Sequence, residues 1–458
     1  MAKNQDKINK IFKKVLKEIK PSDAENKETI KKINNITNEL KNIVSNDVEI
    51  LVTGSVSRGT NLKGNSDIDI FLLFKVGTTK SELTKLGLSY GKALVKKKTD
   101  TYEIKYAEHP YTRVYLDSLG IKADIVPALK IQNAENLATA VDRTPLHTTF
   151  INEKLTSKQK DDVRLLKYFL KAQNIYGAES KTSGFSGYLC EILIYHFSSI
   201  KNLFEWSSSL ELPVALIPKS KSELSNKELF SKFNSDFIVL DPVDENRNVA
   251  AALSKESLSK FILASRKFIG NPSEKQFYGI KFSDSYAKSY LKNFLITSGL
   301  ETYAITFNLP DKSEEILWPQ IKKASSIITD YLKRNELDVY FSLQWIVKNK
   351  GIIILIAPKQ DKKTRIFKGP EVFNKKAISE FMKSHSKGLG FMFSETRMLS
   401  LDTSQLNTIE KALNQIKKNK QLYSHKDINL LKARIEKNTI PEEFSDTLCY
   451  EFMKRLSV

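Results

Sequence analysis

The chain has 458 residues, 41% hydrophobic and 28% charged, which is enough apolar material for several cores and roughly three domains. Lysine and arginine number 73 against 53 acids, a formal net charge of +20, so the expected partner is a polyanion, with nucleic acid first. Two cysteines exclude a cysteine-rich metal site, and five scattered histidines without ligand spacing argue against a zinc enzyme; no apolar run reaches the length of a membrane span, and the first residues lack a signal peptide's apolar centre, so a cytoplasmic protein is expected.

Residues 1–45 predict two helices separated by Lys20-Pro21-Ser22-Asp23, with Ser22 or Asp23 as cap of the second. Ile8, Ile11, Phe12, Val15 and Leu16 recur at helical spacing and are expected to pack on the back of a catalytic sheet. The stretch 49–74, EILVTGSVSRGTNLKGNSDIDIFLLF, reads as strand, turn with short helix, and strand. At Gly54-Ser55 the backbone turns so that free N–H groups would face a triphosphate. Arg58 lies one helical turn beyond Ser55, so both side chains can meet one anion. In the second strand Asp67 and Asp69 project to one side and Ile68 and Ile70 to the other. Two adjacent carboxylates repel unless a cation neutralises them, and hard oxygen donors suit Mg²⁺. A Gly-Ser pair followed after eleven residues by Asp-x-Asp in an apolar strand resembles the signature of the polymerase-β nucleotidyltransferase superfamily. Its chemistry consists mainly of positioning and charge stabilisation.

A helix over 80–96 is followed by strands at 102–106, 112–116 and 121–126, the last two joined as a hairpin by 117–120. A two-metal site needs a third carboxylate, and Asp124 alternates with Lys122 and Val126 on one strand face that the hairpin could bring beside Asp67 and Asp69. Asp117 competes, but its turn position accounts for it locally. Residues 151–275 predict a largely helical unit with helices at 161–172 and 189–197. The segment 241–247 reads there as a capped turn leading into a helix from Asn248 through Leu253 and beyond. Cys190 and Cys449 fall in apolar helical patterns and are expected to be buried and inert. From 276 onward the pattern is α+β. Helices are predicted at 283–299, 316–335 and 375–384, and strands at 303–308, 339–348, 351–357 and near 391–401. A basic segment spans 359–370, and two lysine-rich helices are expected to finish the chain.

The segments GSVSR, SDIDIFLLF, KADIVPAL, AVDRTPLHT, VRLLKYFLKAQNIYG and SGFSGYLCEILI, in this order, resemble the archaeal class I CCA-adding enzymes, the tRNA nucleotidyltransferases. The resemblance implies an α+β multidomain chain. It would have a polymerase-β-like nucleotidyltransferase palm at 1–150, a helical central domain at 151–275, an α+β body with an antiparallel sheet at 276–365 plus 425–458, and a tail at 366–424. The implied activity is template-independent addition of C, C and A to the tRNA 3′ end from CTP and ATP, by two-metal chemistry with Mg²⁺ and release of pyrophosphate.

The same resemblance assigns Asp67, Asp69 and Asp124 as catalytic metal ligands, with Asp67 one methylene shorter than the Glu common at that position. Ser55 and Arg58 would hold the triphosphate, while His147, Lys167 and Tyr176 would contact the nucleotide. Arg247 would help choose the base, its planar fork suiting a Watson–Crick edge. Ordinary readings stand beside these: a surface histidine, a lysine on a solvated face, and a tyrosine closing a helix before Gly177. Body and tail would clamp the acceptor stem and T arm, a task that suits distributed lysines because duplex RNA is recognised by phosphate charge and shape. Oligomeric state, a homodimer included, stays open. The rivals are a poly(A)-type terminal transferase and a non-catalytic RNA-binding protein.

Overall fold

A computed structural model of the chain describes residues 2–64, 67–95, 99–106, 110–117, 120–137, 139–218, 224–279, 283–361, 363–403, 406–418, 427–428, 430–444, 449 and 451–452. The chain divides into two units, Met1–Gly279 and Ile280–Val458.

The first unit begins with α1 (Ala2–Ile19) and α2 (Asp23–Lys41), broken at Pro21. Ser22 is the cap: its hydroxyl accepts the Glu25 N–H, and the Glu25 carboxylate accepts the Ser22 N–H at 2.7 Å. A five-stranded sheet follows, built from β1 (Glu49–Thr53), β2 (Ile68–Phe74), β3 (Thr101–Tyr106), β4 (Pro110–Leu116) and β5 (Ile121–Leu129). Its order is β1-β2-β5-β4-β3; β2 and β5 run parallel and the other pairs antiparallel. The four-residue helix α3 (Gly54–Ser57) links β1 towards β2, and α4 (Lys80–Ala93) packs on the sheet. Beyond Asp69, β2 is apolar on both sides. Ile70, Leu72 and Phe74 meet Ile36 and Leu40 of α2 and Leu83 of α4, while Phe71 and Leu73 meet Val126 on the opposite face. The predicted hairpin between β4 and β5 is present, with Leu116 opposite Ile121; its turn residues Ser118 and Leu119, and the predicted helix end Lys96, lie outside the described residues.

Helix α1 does not pack on this sheet as expected. Ile8, Ile11 and Val15 enter the core of the helices that follow, and Phe12 stacks on Phe268 with ring centroids 5.7 Å apart. An apolar stripe fixes that a helix is buried, and the larger apolar surface available decides where. Those helices are α5 (Arg143–Lys154), α6 (Ser157–Ala172), α7 (Gly187–Phe197), α8 (Ile200–Ser208), α9 (Asn226–Phe233) and α10 (Lys255–Gly270).

Between them lies a small sheet the sequence reading missed, β6 (Val214–Leu216), β7 (Phe237–Asp241) and β8 (Asp244–Asn248). The helix expected from Asn248 is absent for a local reason. The Asn248 side chain accepts the Val239 and Ala250 N–H groups at 3.0 and 2.9 Å and donates to the Phe237 carbonyl at 3.2 Å. It thereby ends β8 as a backbone substitute, and the helix waits until Ser254 caps α10.

The second unit contains α11 (Asp284–Ser298), β9 (Leu300–Asn308), α12 (Glu314–Arg334), β10 (Phe341–Val347), β11 (Lys350–Pro358), β12 (Thr364–Glu371), α13 (Lys375–Ser384), β13 (Gly390–Ser394), β14 (Arg397–Thr403), α14 (Ile409–Lys418) and β15 (Arg434–Lys437). Two antiparallel sheets result, β10-β11-β9-β15 and β12-β14-β13. In the first, Ile353 and Leu355 face Ile321 and Ile328 of α12 and Leu413 of α14, while Ile352, Ile354 and Ile356 face Leu291 of α11 and Phe444. The expected second lysine-rich terminal helix is replaced in part by strand β15, which pairs with β9; the stretches 419–426, 445–448 and 453–458 lie outside the described residues. No helix of the described residues is long and apolar enough to cross a membrane.

Candidate active site

Strand register builds the first half of the site. Thr53 opposes Asp69, Asp69 opposes Asp124, Asp124 opposes Arg113 and Arg113 opposes Glu103, so one row of side chains crosses all five strands. Asp69 is tucked under the β1–α3 turn. Gly54 has φ +76° there, and a Cβ on it would lie 2.0 Å from Asp69 Oδ2, so the carboxylate occupies the space a side chain would need. Burial, followed by the charge of Asp124, raises the Asp69 pKa to about 6, against the pull of Arg58 and Arg113. Asp124 is held bidentately by Arg113, with Nε to Oδ1 at 2.6 Å and Nη2 to Oδ2 at 2.7 Å. Asp67 stands just ahead of β2, largely exposed, with Lys122 Nζ at 3.0 Å. The three predicted acids therefore lie on or just ahead of two neighbouring inner strands, yet Asp67 and Asp124 turn to cations of the chain, and the described residues contain no group of three metal-ligand side chains already drawn together. Three carboxylates, the half-buried Asp69 among them, are hard oxygen donors of the kind that could hold a divalent ion once these partners are displaced.

A second group lies behind the turn. Glu191 of α7 is fully buried, and Arg58 Nε approaches both its oxygens, at 3.1 and 3.0 Å. Thr60 Oγ1 donates to the same carboxylate at 2.5 Å. Lys167 Nζ lies 3.5 Å from Glu191 Oε1 and donates to Thr60 Oγ1 at 3.0 Å. Burial works against the Glu191 charge, but Arg58 and Lys167 hold its pKa below the usual carboxylate range. Burial lowers the Lys167 pKa despite that partner. Lys167 is thus no solvated lysine. Tyr176 is its neighbour, since a Cβ built on Gly187 would sit 3.3 Å from the Tyr176 hydroxyl and 3.7 Å from Lys167 Nζ. Burial raises the Tyr176 pKa, so the phenol keeps its proton as a donor. Ser55 is half-buried within α3, whose four residues offer an anion local N–H and hydroxyl groups rather than a helix dipole.

The third group contains the other two predicted residues. His147 is buried, not on the surface, and its ring stacks on Tyr188 with centroids 3.8 Å apart. Its Nε2 lies 2.9 Å from Asp241 Oδ2, and Arg247 Nη1 donates to the same oxygen at 2.7 Å. Burial lowers the His147 pKa, making it a neutral imidazole near neutrality. Arg58 stands between the groups, its charge acting on the pKa values of Asp69, Lys167, Tyr176 and His147.

Sequence reasoning missed Glu191, Tyr188 and Asp241. An acid inside the apolar run LCEILI was the one signal for Glu191, because a charge in a buried helix must be paired. Asp241 gave none beyond a turn residue.

Three family profiles match the chain: a nucleotidyltransferase domain over residues 30–147, the second domain of tRNA nucleotidyltransferases over 161–278, and the C-terminal domain of CCA-adding enzymes over 298–431. The CCA-adding enzyme of Methanocaldococcus jannaschii is 37% identical over 399 residues, 83% of this chain and 85% of that protein. The chain belongs to the archaeal CCA-adding enzymes. Those of Picrophilus torridus and Archaeoglobus fulgidus are 34% and 35% identical, covering 93% and 82% of this chain and 99% and 82% of theirs. A solved cytoplasmic RNA terminal U-transferase is more distant, at 17% identity and TM-score 0.47 over 60% of this chain and 100% of that one. This CCA-adding enzyme is therefore a tRNA nucleotidyltransferase that builds the terminal CCA, with a polymerase-β-like catalytic domain. Nucleotidyltransferases of this family use divalent metal ions.

Proposed function

We propose that this CCA-adding enzyme binds Mg²⁺ at Asp67, Asp69 and Asp124 and seats CTP or ATP between these acids and the Arg58 group. The tRNA 3′-oxygen forms a bond to the α-phosphorus, the α–β phosphoanhydride bond breaks, and pyrophosphate leaves. Two bound ions would neutralise charge at the attacking oxygen and at the departing pyrophosphate. Asp69 and Asp124 fix where that charge must lie, because adjacent strands hold them as register partners. Arg58 and Lys167 share the single buried anion Glu191, which leaves one positive charge in excess for the triphosphate; Ser55 and Tyr176 add neutral donors. His147 and Arg247 serve the nucleoside end, with Arg247 reading the base edge.

In this reading the catalytic domain is 1–150, the central domain 151–275, the body 276–365 plus 425–458 and the tail 366–424, in a cytoplasmic protein. Body and tail clamp the acceptor stem and T arm, which two separate antiparallel sheets in the second unit support. The observation that carries the site assignment is the Asp69–Asp124 register pair, with the half-buried Asp69 packed against the Gly54 turn. Asp69→Asn tests it. Nucleotide transfer should fall by about three orders of magnitude or more while tRNA affinity stays within about twofold, because the acid serves the transition state. Substantial turnover by the variant would overturn the assignment.

A further inference from the structure

Asp241 accepts four hydrogen bonds although it is fully buried. Tyr188 Oη and the Val243 N–H donate to Oδ1 at 2.9 and 3.1 Å; His147 Nε2 and Arg247 Nη1 lie 2.9 and 2.7 Å from Oδ2. The donors come from α5, α7, β8 and the turn between β7 and β8. A second acid–base contact lies alongside, Arg143 Nε to Asp244 Oδ2 at 2.6 Å. Arg143 and His147 are one turn apart on α5 and share a face, so the β7–β8 hairpin is pinned to that helix at two points. The guanidinium of Arg247 also rests 5.7 Å from the centre of the Tyr188 ring.

The consequence concerns where the arginine fork points. Arg247 lines a cleft of about 530 Å³ together with Gly184, Ser186, Asn246 and Asn248. Asp241 takes one corner of the guanidinium, Nη1, and Nε and Nη2 have no protein hydrogen-bond partner among the described residues. An arginine on an unsupported hairpin would sample many rotamers and lose that freedom on meeting a base; one whose corner is fixed has already lost it. We propose that Asp241 is a positioning residue for base selection, holding Arg247 so that its remaining donors present one hydrogen-bonding edge to the incoming cytosine or adenine.

This inference rests on the reading of Arg247 as the base-selecting residue, and one set of measurements separates the two. The quantity is kcat/KM for CTP against UTP on tRNA lacking CCA, with inhibition by inorganic tripolyphosphate measured beside it and folding checked by thermal melting. In Asp241→Asn and Arg247→Ala alike, the preference for CTP should fall about tenfold, the order expected for one well-placed arginine contact to a base. Tripolyphosphate inhibition should stay unchanged, which a general loss of structure would not allow. If Arg247→Ala loses the preference and a folded Asp241→Asn keeps it, the Asp241 role is overturned and base reading by Arg247 stands. If Arg247→Ala keeps the preference, both fall. Should Asp241→Asn fail to fold, Tyr188→Phe removes one donor and leaves the charge; a preference reduced about twofold or more supports the role, and an unchanged preference overturns it.

Discussion

Asp69 is half-buried and Glu191 fully buried, and the two carboxylates titrate in opposite directions because of what surrounds them. Glu191 has two cations and stays ionised, whereas Asp69 faces Asp124 and Asp67 and has its pKa raised to about 6. For Asp69 the folded protein binds a proton between its usual carboxylate range and pH 6 that the unfolded chain releases. The neutral acid therefore favours the fold at low pH, and that contribution is lost as pH rises through 6. Removing the charge should thus stabilise the metal-free protein. Asp69→Asn is expected to raise the melting temperature in EDTA at pH 7.5, with a gain that shrinks at pH 5.5; an equal or lower melting temperature at pH 7.5 would speak against the raised pKa. A metal ion must displace the same proton, so Mg²⁺ affinity, followed by calorimetry, should weaken progressively as pH falls below about 6. Glu191→Ala does the reverse of relieving strain, since it leaves Arg58 and Lys167 buried without their anion. A destabilisation of about 3–5 kcal/mol is expected in chemical denaturation.

The β1–α3–β2 element makes these residues a site, and Gly54 is its tightest point. Any Cβ there collides with Asp69 Oδ2 and meets a backbone at φ +76°. Gly54→Ala should cost about 1–3 kcal/mol of stability and reduce kcat far more than tRNA affinity, because the displaced group is the proposed metal-binding carboxylate. Retention of full kcat would show that the close approach is dispensable. This element was legible in the sequence because its information is local: alternation in β2, glycine at the turn, and Asp-x-Asp at the strand edge. The β7–β8 hairpin was not. Asp244 to Asn248 is a run of polar residues with little strand propensity, and it becomes a strand through side-chain bonds of Asn248 to β7. The helical spacing of α1 announced burial but could not say against which core. The partners of the proposed nucleotide-binding residues were hidden for a related reason: Arg58 and Glu191 lie 133 positions apart, and His147 and Asp241 lie 94 apart. Spacing rules reach one helical turn or one hairpin, whereas these pairs exist only through the packing of α5, α6 and α7 around the turn.

Across the whole molecule, the excess of 73 basic over 53 acidic residues is assigned by the proposed function to the tRNA rather than to the chemistry. Phosphate contacts by dispersed lysines release counterions. Affinity for tRNA should therefore drop by about a thousandfold or more between 50 and 200 mM salt if six to ten phosphates are engaged. The KM for CTP, on the proposal that it binds beside the buried Arg58 and Lys167, should change far less; a salt response of equal size for both would place the charge elsewhere. The most direct measurement supplies the purified enzyme and Mg²⁺ with tRNA ending at the discriminator base, adds CTP, ATP or both, and resolves products at single-nucleotide length. Two additions with CTP alone, a third when ATP is also present, and then arrest are expected. A long ladder with ATP alone, or no extension with both nucleotides, would contradict CCA addition by this site.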